Sequence, residues 1–461
     1  MTVFAIFSRL SRRQMCVVVM AACVSRTLAT VANEPELLWK ASLGGDSGPV
    51  VASSEHVVVG TRSPGGDVAE VRCFAIETGK HLWTAVHERL EHAWLDNPRS
   101  AIRSRPVIAG DRVVYYSNRA EVVCVDLNGW SDDEDDGTAR RFGNDASEAD
   151  VVWKCDLREE LNVFKRDELN VGCPSPSPLV IGDRVYCATG NGATHGLERF
   201  IGQKPFVVSP LAPACICLSL TNGALIWSSS AGSATTIHSS VASPLFGPTT
   251  SGNLKSANRL AFTGGDGKLY VLSSEDGATI SKSDNNWNFW CWQSPVLCDT
   301  HIVLCTSIPP GTPISGRNPV VVGFEKDSLF TSARTPRQQW LFRDAGYEGT
   351  WVPPVYARGI LFVVTNSGRL LAIDARNGQL LWDDEIDYEV WEFPEMKLYN
   401  DTLLIPVGTE LYGYKVARVR EREILVDLGV LLKSGWSIVG DQLLAADGNS
   451  LYSFKLNELL P

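Results

Sequence analysis

Short apolar runs separated by polar turns recur eight times along the chain. The copies read PVVASSEHVVVG (49–60), PVIAGDRVVYY (106–116), PLVIGDRVYCA (178–188), PLFGP…NRLAFTG (244–264), PVLCDTHIVLC (295–305), PVYARGILFVV (354–364), EMKLYNDTLLIP (395–406) and WSIVGDQLLAA (436–446). Each begins near a Pro or an aromatic residue, turns through a polar pair and returns as a second apolar run. Turn pairs such as Gly110-Asp111, Gly182-Asp183, Asn400-Asp401 and Gly440-Asp441 tolerate the positive φ of tight hairpins. The flanking Val113, Val114 and Tyr115 are β-branched or aromatic, the types that suit a pleated strand. The pattern therefore predicts eight β-hairpins. One hairpin cannot bury its own apolar face, so the copies must pack against one another.

A second motif follows most hairpins: CFAIETGKHLW (73–83), CLSLTNGALIW (217–227), VLSSEDGATIS (271–281) and AIDARNGQLLW (372–382). It adds a third strand, a Gly-containing turn and a fourth strand that ends on Trp four residues after the Gly. The unit is thus a four-stranded antiparallel meander, the content of a propeller blade. The last unit (436–458) has three strands and then the chain ends, while ELLWKASLG (36–44) carries the outer-strand pattern with no hairpin before it. The expected fold is an all-β, eight-bladed propeller whose N-terminal strand joins the last blade and closes the ring.

The motif AIDARNGQLLW and its variants, ending in Trp39, Trp83, Trp153, Trp227, Trp340 and Trp382, resemble the tryptophan-docking repeat of the pyrroloquinoline-quinone (PQQ) propeller family. The resemblance spans residues 33–461. It implies that each of these Trp packs across the seam to the next blade. Ser281 and Leu425 stand at the equivalent places in blades 4 and 7, so those two seams are expected to be less regular. The family holds quinoprotein dehydrogenases and also non-catalytic envelope proteins, among them the propeller lipoprotein of the outer-membrane barrel-assembly machinery. The organisation here is closest to the latter.

Residues 1–32 follow another logic. Arg9, Arg12 and Arg13 precede MCVVVMAACV (15–24), with Ala29 and Ala32 beyond, which is the layout of a secretory signal. The apolar run is too short to span a bilayer. Cleavage is expected near Ala29 or Ala32, and Met20-Ala21-Ala22-Cys23 is a degenerate lipoprotein box that offers Cys23 as an alternative lipid-anchor position. The first 32 residues hold four arginines and no acid, leaving 38 basic against 53 acidic residues, a net charge of −15. That surface disfavours nucleic acid and anionic lipid. Of 12 cysteines, 10 follow the signal. An even count in an exported chain invites disulfides, but Cys73 and Cys217 sit where Ala372 sits in another blade, as packed small hydrophobes do. Cys215 and Cys217 share a strand face, and the pattern assigns them no partner.

Candidate chemistry is sparse. The dehydrogenases that the repeat resembles carry two adjacent cysteines under the quinone; this chain has no Cys-Cys pair and no C-x-x-C-H haem motif. Asp132-Asp133-Glu134-Asp135-Asp136-Gly137 looks like the start of a calcium loop, yet Gly143 stands where the closing acid belongs, and a solvated loop is the reading taken. GNGATHG (190–196), which includes His195, lacks the following helix that a phosphate loop needs. No serine-base triad, zinc spacing or carboxylate pair stands out. The residues just before the inner strands should line one mouth of the central channel: Arg103, Arg105, His238, Trp290, Trp292, Gln293, Glu348 and Trp351. Aromatics mixed with Arg, Gln and His suit sugars, peptides or flat ligands; the alternative for Trp290 and Trp292 is that they fill blade seams. The expectation is a monomeric, non-catalytic scaffold, periplasmic or at the cell surface, that binds an envelope protein or polymer. No cofactor is expected. The alternative is a quinoprotein-type oxidoreductase with a modified site, which alone would require PQQ and calcium.

Overall fold

Alternation along each strand divides its side chains between two neighbours. Val113 and Tyr115 join a core cluster with Val58, Val71 and Trp83, whereas Val114 and Tyr116 join one with Val185, Cys187 and Ile216. Both faces are buried, so the strands read as nearly continuous apolar runs rather than as in-out alternation. The computed structural model describes residues 35–63, 68–88, 102–130, 147–164, 177–192, 206–235, 243–247, 259–284, 291, 293–307, 319–331, 335–344, 346–386, 395–432 and 435–456. Within them the chain forms eight four-stranded antiparallel sheets, each a meander of consecutive strands except the last. Blade 1 comprises Ser47–Ala52, His56–Arg62, Ala69–Ala75 and His81–His87, and blades 2 to 7 repeat this order. Blade 8 comprises Gly435–Val439, Gln442–Ala446 and Ser450–Lys455, with Leu37–Ser42 as its outer strand. The eight-bladed ring closed by the N-terminal strand is therefore present. The predicted signal segment lies outside the described residues.

The core lies in the seams, one apolar cluster between each pair of neighbouring blades. Each Val or Leu fully buried there contributes about 1.5–3 kcal/mol. A Trp on the outer strand fastens most seams. Trp39 Nε1 donates to Ile76 O at 2.7 Å, Trp83 to Leu127 O at 2.8 Å, Trp153 to Leu220 O at 2.7 Å, Trp227 to Ser274 O at 3.0 Å, and Trp340 and Trp382 to Ala375 O and Ala417 O at 3.1 Å. Each acceptor belongs to the turn before the outer strand of the next blade. Gly79 in such a turn has φ +66°, and a Cβ there would lie 2.5 Å from the Trp39 ring. Glycine is thus required twice over, for backbone and for space. Directly opposite each docking Trp, in register, stands a small residue: Cys73, Cys124, Cys217, Gly323, Ala372 or Ser453.

Register explains three cysteines as space-makers for an indole. All nine described cysteines are buried free thiols, and burial raises the pKa of Cys124, Cys187, Cys217 and Cys291 to about 12. Thiols so far from ionisation are poor nucleophiles at neutral pH.

Blades 4 and 7 depart from the scheme. Ser281 lies opposite Val271, and a short helix, Lys326–Thr331, replaces the Gly turn across that seam, bringing buried Leu329 and Phe330 into the gap. In blade 7 Leu425 lies against Gly413 and joins the blade 7–8 cluster. The seam between blades 8 and 1 is unusually tight: a Cβ on Gly435 would lie 2.7 Å from Gly48 O.

Strand polarity sorts the connections between the two faces. Inner strands run away from the channel mouth, so inter-blade connections and those joining second to third strands lie on the mouth face. Eight connections longer than ten residues leave from that face, including 88–106, 157–178, 189–214 and 306–320. Three leave from the far face, after Asp126, Gly247 and Glu325. The last part of 127–150 returns along the outer strand of blade 1, where Thr84 N donates to Ser147 O at 2.7 Å and Ala149 N to Thr84 O at 3.0 Å. The acidic run 132–137 lies outside the described residues.

Candidate functional site

The innermost strand of every blade starts at the rim of one central cavity. Pro49, Arg105, Ser177, Ser243, Gln293, Pro354, Lys397 and Ser437 line it, one from each blade, and the cavity measures about 650 Å³. That volume is within the range of small-molecule sites. Backbone and hydroxyl groups tie the rim together: Arg105 N donates to Ser177 Oγ at 3.1 Å, and Ser177 N donates to Ser243 Oγ at 2.8 Å. This linkage fixes the approach of three consecutive inner strands.

Charge in the cavity comes from four lining residues. Arg105, from the connection entering blade 2, forms an ion pair with Glu395, which precedes the inner strand of blade 7. The pair is a strut across the channel, because blades 8 and 1 lie between its ends. Arg103 Nη2 sits 3.0 Å from Asp46 in the connection between blades 8 and 1. Counted back from the hairpin turn, Lys397 stands in its inner strand where other blades carry Val107, Leu179, Leu245, Val296, Val355 or Ser437. Its Nζ lies 3.4 Å from Glu395 Oε2 and 5.4 Å from the centroid of the Trp436 ring. Trp436 in turn donates from Nε1 to the backbone carbonyl of Glu395 at 2.7 Å, which holds the ring against the start of this inner strand.

Glu395 is therefore shared between two cations, and the lining carries more positive than negative groups. Desolvation lowers the pKa of Lys397, with the Arg105 charge adding to it, to about 7; desolvation also lowers that of Arg105. The two effects are those expected of like charges withdrawn from water. A pH dependence follows. An unfolded lysine keeps its proton to about pH 10.4, whereas folded Lys397 releases it at about 7. Between these values the unfolded chain binds more protons, so this residue makes stability rise with pH across that window. Lys397→Met should accordingly raise the melting temperature at pH 6 and lose that advantage by pH 10. A difference that stays constant with pH would contradict the assignment.

Of the residues predicted at the mouth, Arg103, Arg105 and Gln293 line the cavity. Trp351 stands beside it, half-buried, its carbonyl accepting from Gln293 Nε2. Glu348 is exposed, and His238, Trp290 and Trp292 lie outside the described residues. Lys397, Glu395, Ser177, Ser243 and Ser437 were not anticipated. The signal for Lys397 was available, as a lone cation at a position that is apolar or Ser in the other copies of the hairpin. Among the described residues no group of three or more His, Cys, Asp or Glu is placed to hold a metal ion.

The quinone and calcium of the dehydrogenases that the repeat resembles would need carboxylate and amide oxygen ligands in this channel. Arg103, Arg105 and Lys397 suit carboxylates, but calcium takes six to eight oxygen ligands. Glu395 is the single carboxylate among the lining residues and is already bound to two cations. The described lining does not fit that metal.

Comparisons with known proteins agree with the architecture. The family model described as outer membrane protein assembly factor BamB matches residues 24–286 and 312–404. No curated protein matches the sequence. Among solved structures, BamB from Moraxella catarrhalis is similar over 91% of this chain and 97% of its own, at 12% identity and a TM-score of 0.54. Sqt1 from Saccharomyces cerevisiae is similar over 92% of this chain and 99% of its own, at 9% identity and a TM-score of 0.56. The computationally designed Ika8 protein is similar over 91% and 99%, at 10% identity and a TM-score of 0.52. Identities this low speak for the fold alone. The family match covers most of the chain and coincides with the repeats that build the ring, and on that ground the chain belongs to the PQQ-repeat β-propeller family described as outer membrane protein assembly factor BamB.

Proposed function

We propose that the protein is an exported, non-catalytic binding scaffold that recognises a protein or polymer of the cell envelope through its channel-mouth face. The observation that carries this reading is the gathering of long connections on the face where the eight inner strands begin. One of them, in blade 3, presents Phe206, Val208 and Leu211, the last 90% exposed. An exposed apolar cluster that folding does not bury is the usual mark of a contact surface. The basic segment at residues 1–32 supports export, and the sharing of Glu395 between two cations supports a binding rather than a metal-assisted role.

The test is capture from envelope extract with two proteins: the wild type, and a variant carrying Phe206→Ser, Val208→Ser and Leu211→Ser whose melting is unchanged. The wild type should retain a partner that the variant loses by about tenfold or more, as expected for truncated interface anchors. Equal retention by both would remove this face from the interaction. Stoichiometric quinone uptake with dye-linked oxidation, after adding PQQ and calcium, would overturn the scaffold reading itself.

A further inference from the structure

Lys397 is a cation in a place where its repeat equivalents are apolar or Ser, and it is one of the residues that line the central cavity. Three groups from separate parts of the ring surround it. Glu395 approaches Nζ to 3.4 Å, the Trp436 ring lies beneath at 5.4 Å, and Arg105 reaches the same carboxylate from across the channel. Only 18% of the Lys397 side-chain surface is exposed, yet the residue lines the cavity of about 650 Å³. The remaining charged residue of the lining, Arg103, is paired with Asp46.

We propose that Lys397 is a covalent capture site, whose amine forms a reversible imine with a small aldehyde or α-keto acid bearing an anionic group that Arg103 and Arg105 hold. The nitrogen lone pair of Lys397 attacks the carbonyl carbon, and the oxygen takes up a proton to give a carbinolamine. Loss of the hydroxyl as water leaves the C=N bond, so one amine and one carbonyl become one imine and one water, with no oxidant or reductant. Glu395, at 3.4 Å, is placed to take the amine proton and return it to the departing hydroxyl. Desolvation and a neighbouring cation are the two devices that activate lysine as a nucleophile, and both act here to bring its pKa to about 7. The inference concerns the channel alone and holds whether or not the mouth face docks a macromolecule.

Pyridoxal 5′-phosphate is a suitable probe, with borohydride trapping and peptide mapping as the readout. At pH 7 about half of Lys397 would be neutral, against roughly one in a thousand or fewer of ordinary lysines. After allowance for the weaker basicity, labelling at Lys397 should exceed the mean of the other lysines by at least about tenfold. It should rise to half-maximum near pH 7, and the preference for Lys397 over the other lysines should be several-fold smaller with pyridoxal, which lacks the phosphate. Lys397→Arg keeps the charge and cannot form the imine; it should abolish the preferred adduct while leaving the melting profile at pH 6 intact. Uniform labelling of all lysines, or a Lys397 rate that rises only near pH 10, would overturn the proposal. An equal preference for Lys397 with the two aldehydes would overturn the role given to the arginines.

Discussion

Removal of residues 33–44 should open the ring and lower the melting temperature by about 10 °C or more. The outer strand of blade 8, Leu37–Ser42, pairs with Ser450–Lys455, and Lys455 N donates to Glu36 O at 2.9 Å. The deletion also strips Trp39 from the blade 1 turn, where its indole donates to Ile76 O, and removes the fully buried Leu43. Losing a buried Trp costs about 3–5 kcal/mol and a buried Leu about 2–5 kcal/mol, against a net stability of roughly 5–15 kcal/mol for a typical domain. The newly exposed edge of Ser450–Lys455 should also promote association between chains. Scanning calorimetry with and without a synthetic 33–44 peptide is the measurement. The peptide should restore part of the loss, and an unaltered melt in the truncated protein would refute closure by this strand.

Trp382→Ala should cost about 3–5 kcal/mol. The indole stacks on Tyr414 of the next blade with centroids 5.9 Å apart and planes 14° from parallel, and it also meets Phe362 at 5.9 Å. Its N–H donates to Ala417 O at 3.1 Å. Alanine therefore leaves a cavity on both sides of the seam and an acceptor without its indole donor. Trp382→Phe keeps most of the apolar volume and should cost less. Urea denaturation of both variants, set beside Ser281→Ala at the seam that has no Trp, separates docking from mere burial. A loss below about 1 kcal/mol for Trp382→Ala would mean that the seam does not depend on its Trp.

Repetition made the fold legible. Eight copies of one hairpin, most of them followed by a Gly turn, leave little freedom once both faces of every strand must be buried. The same periodicity explains Cys73, Cys124 and Cys217, because their register places them opposite Trp83, Trp153 and Trp227. The helix Lys326–Thr331 was not legible: six residues offer no helical period to read, and their role, filling a seam without Trp, exists only in three dimensions. The candidate site was half legible. Arg103, Arg105 and Gln293 followed from their position ahead of inner strands. Lys397 and Glu395 belong to a copy of the repeat, where the hairpin pattern hid their charge, and Ser177 and Ser243 carry no mark that separates them from ordinary turn residues. Nor does spacing reveal that Arg105 meets Glu395, since that pair depends on how wide the ring is.

Closure of the ring also sets an order of events in time. Lys455 and Glu36 interact across 419 positions, so the first of the described strands can be satisfied only by the last of them. Until then Leu37 and Leu38 belong to an unpaired strand, while seven blades can form successively from local contacts. Local meanders close quickly and distant pairings slowly, which makes docking of this strand the natural last step of folding. A growing chain must keep that strand from other partners until Ser450–Lys455 has been made. The first of the described strands is the last to be paired.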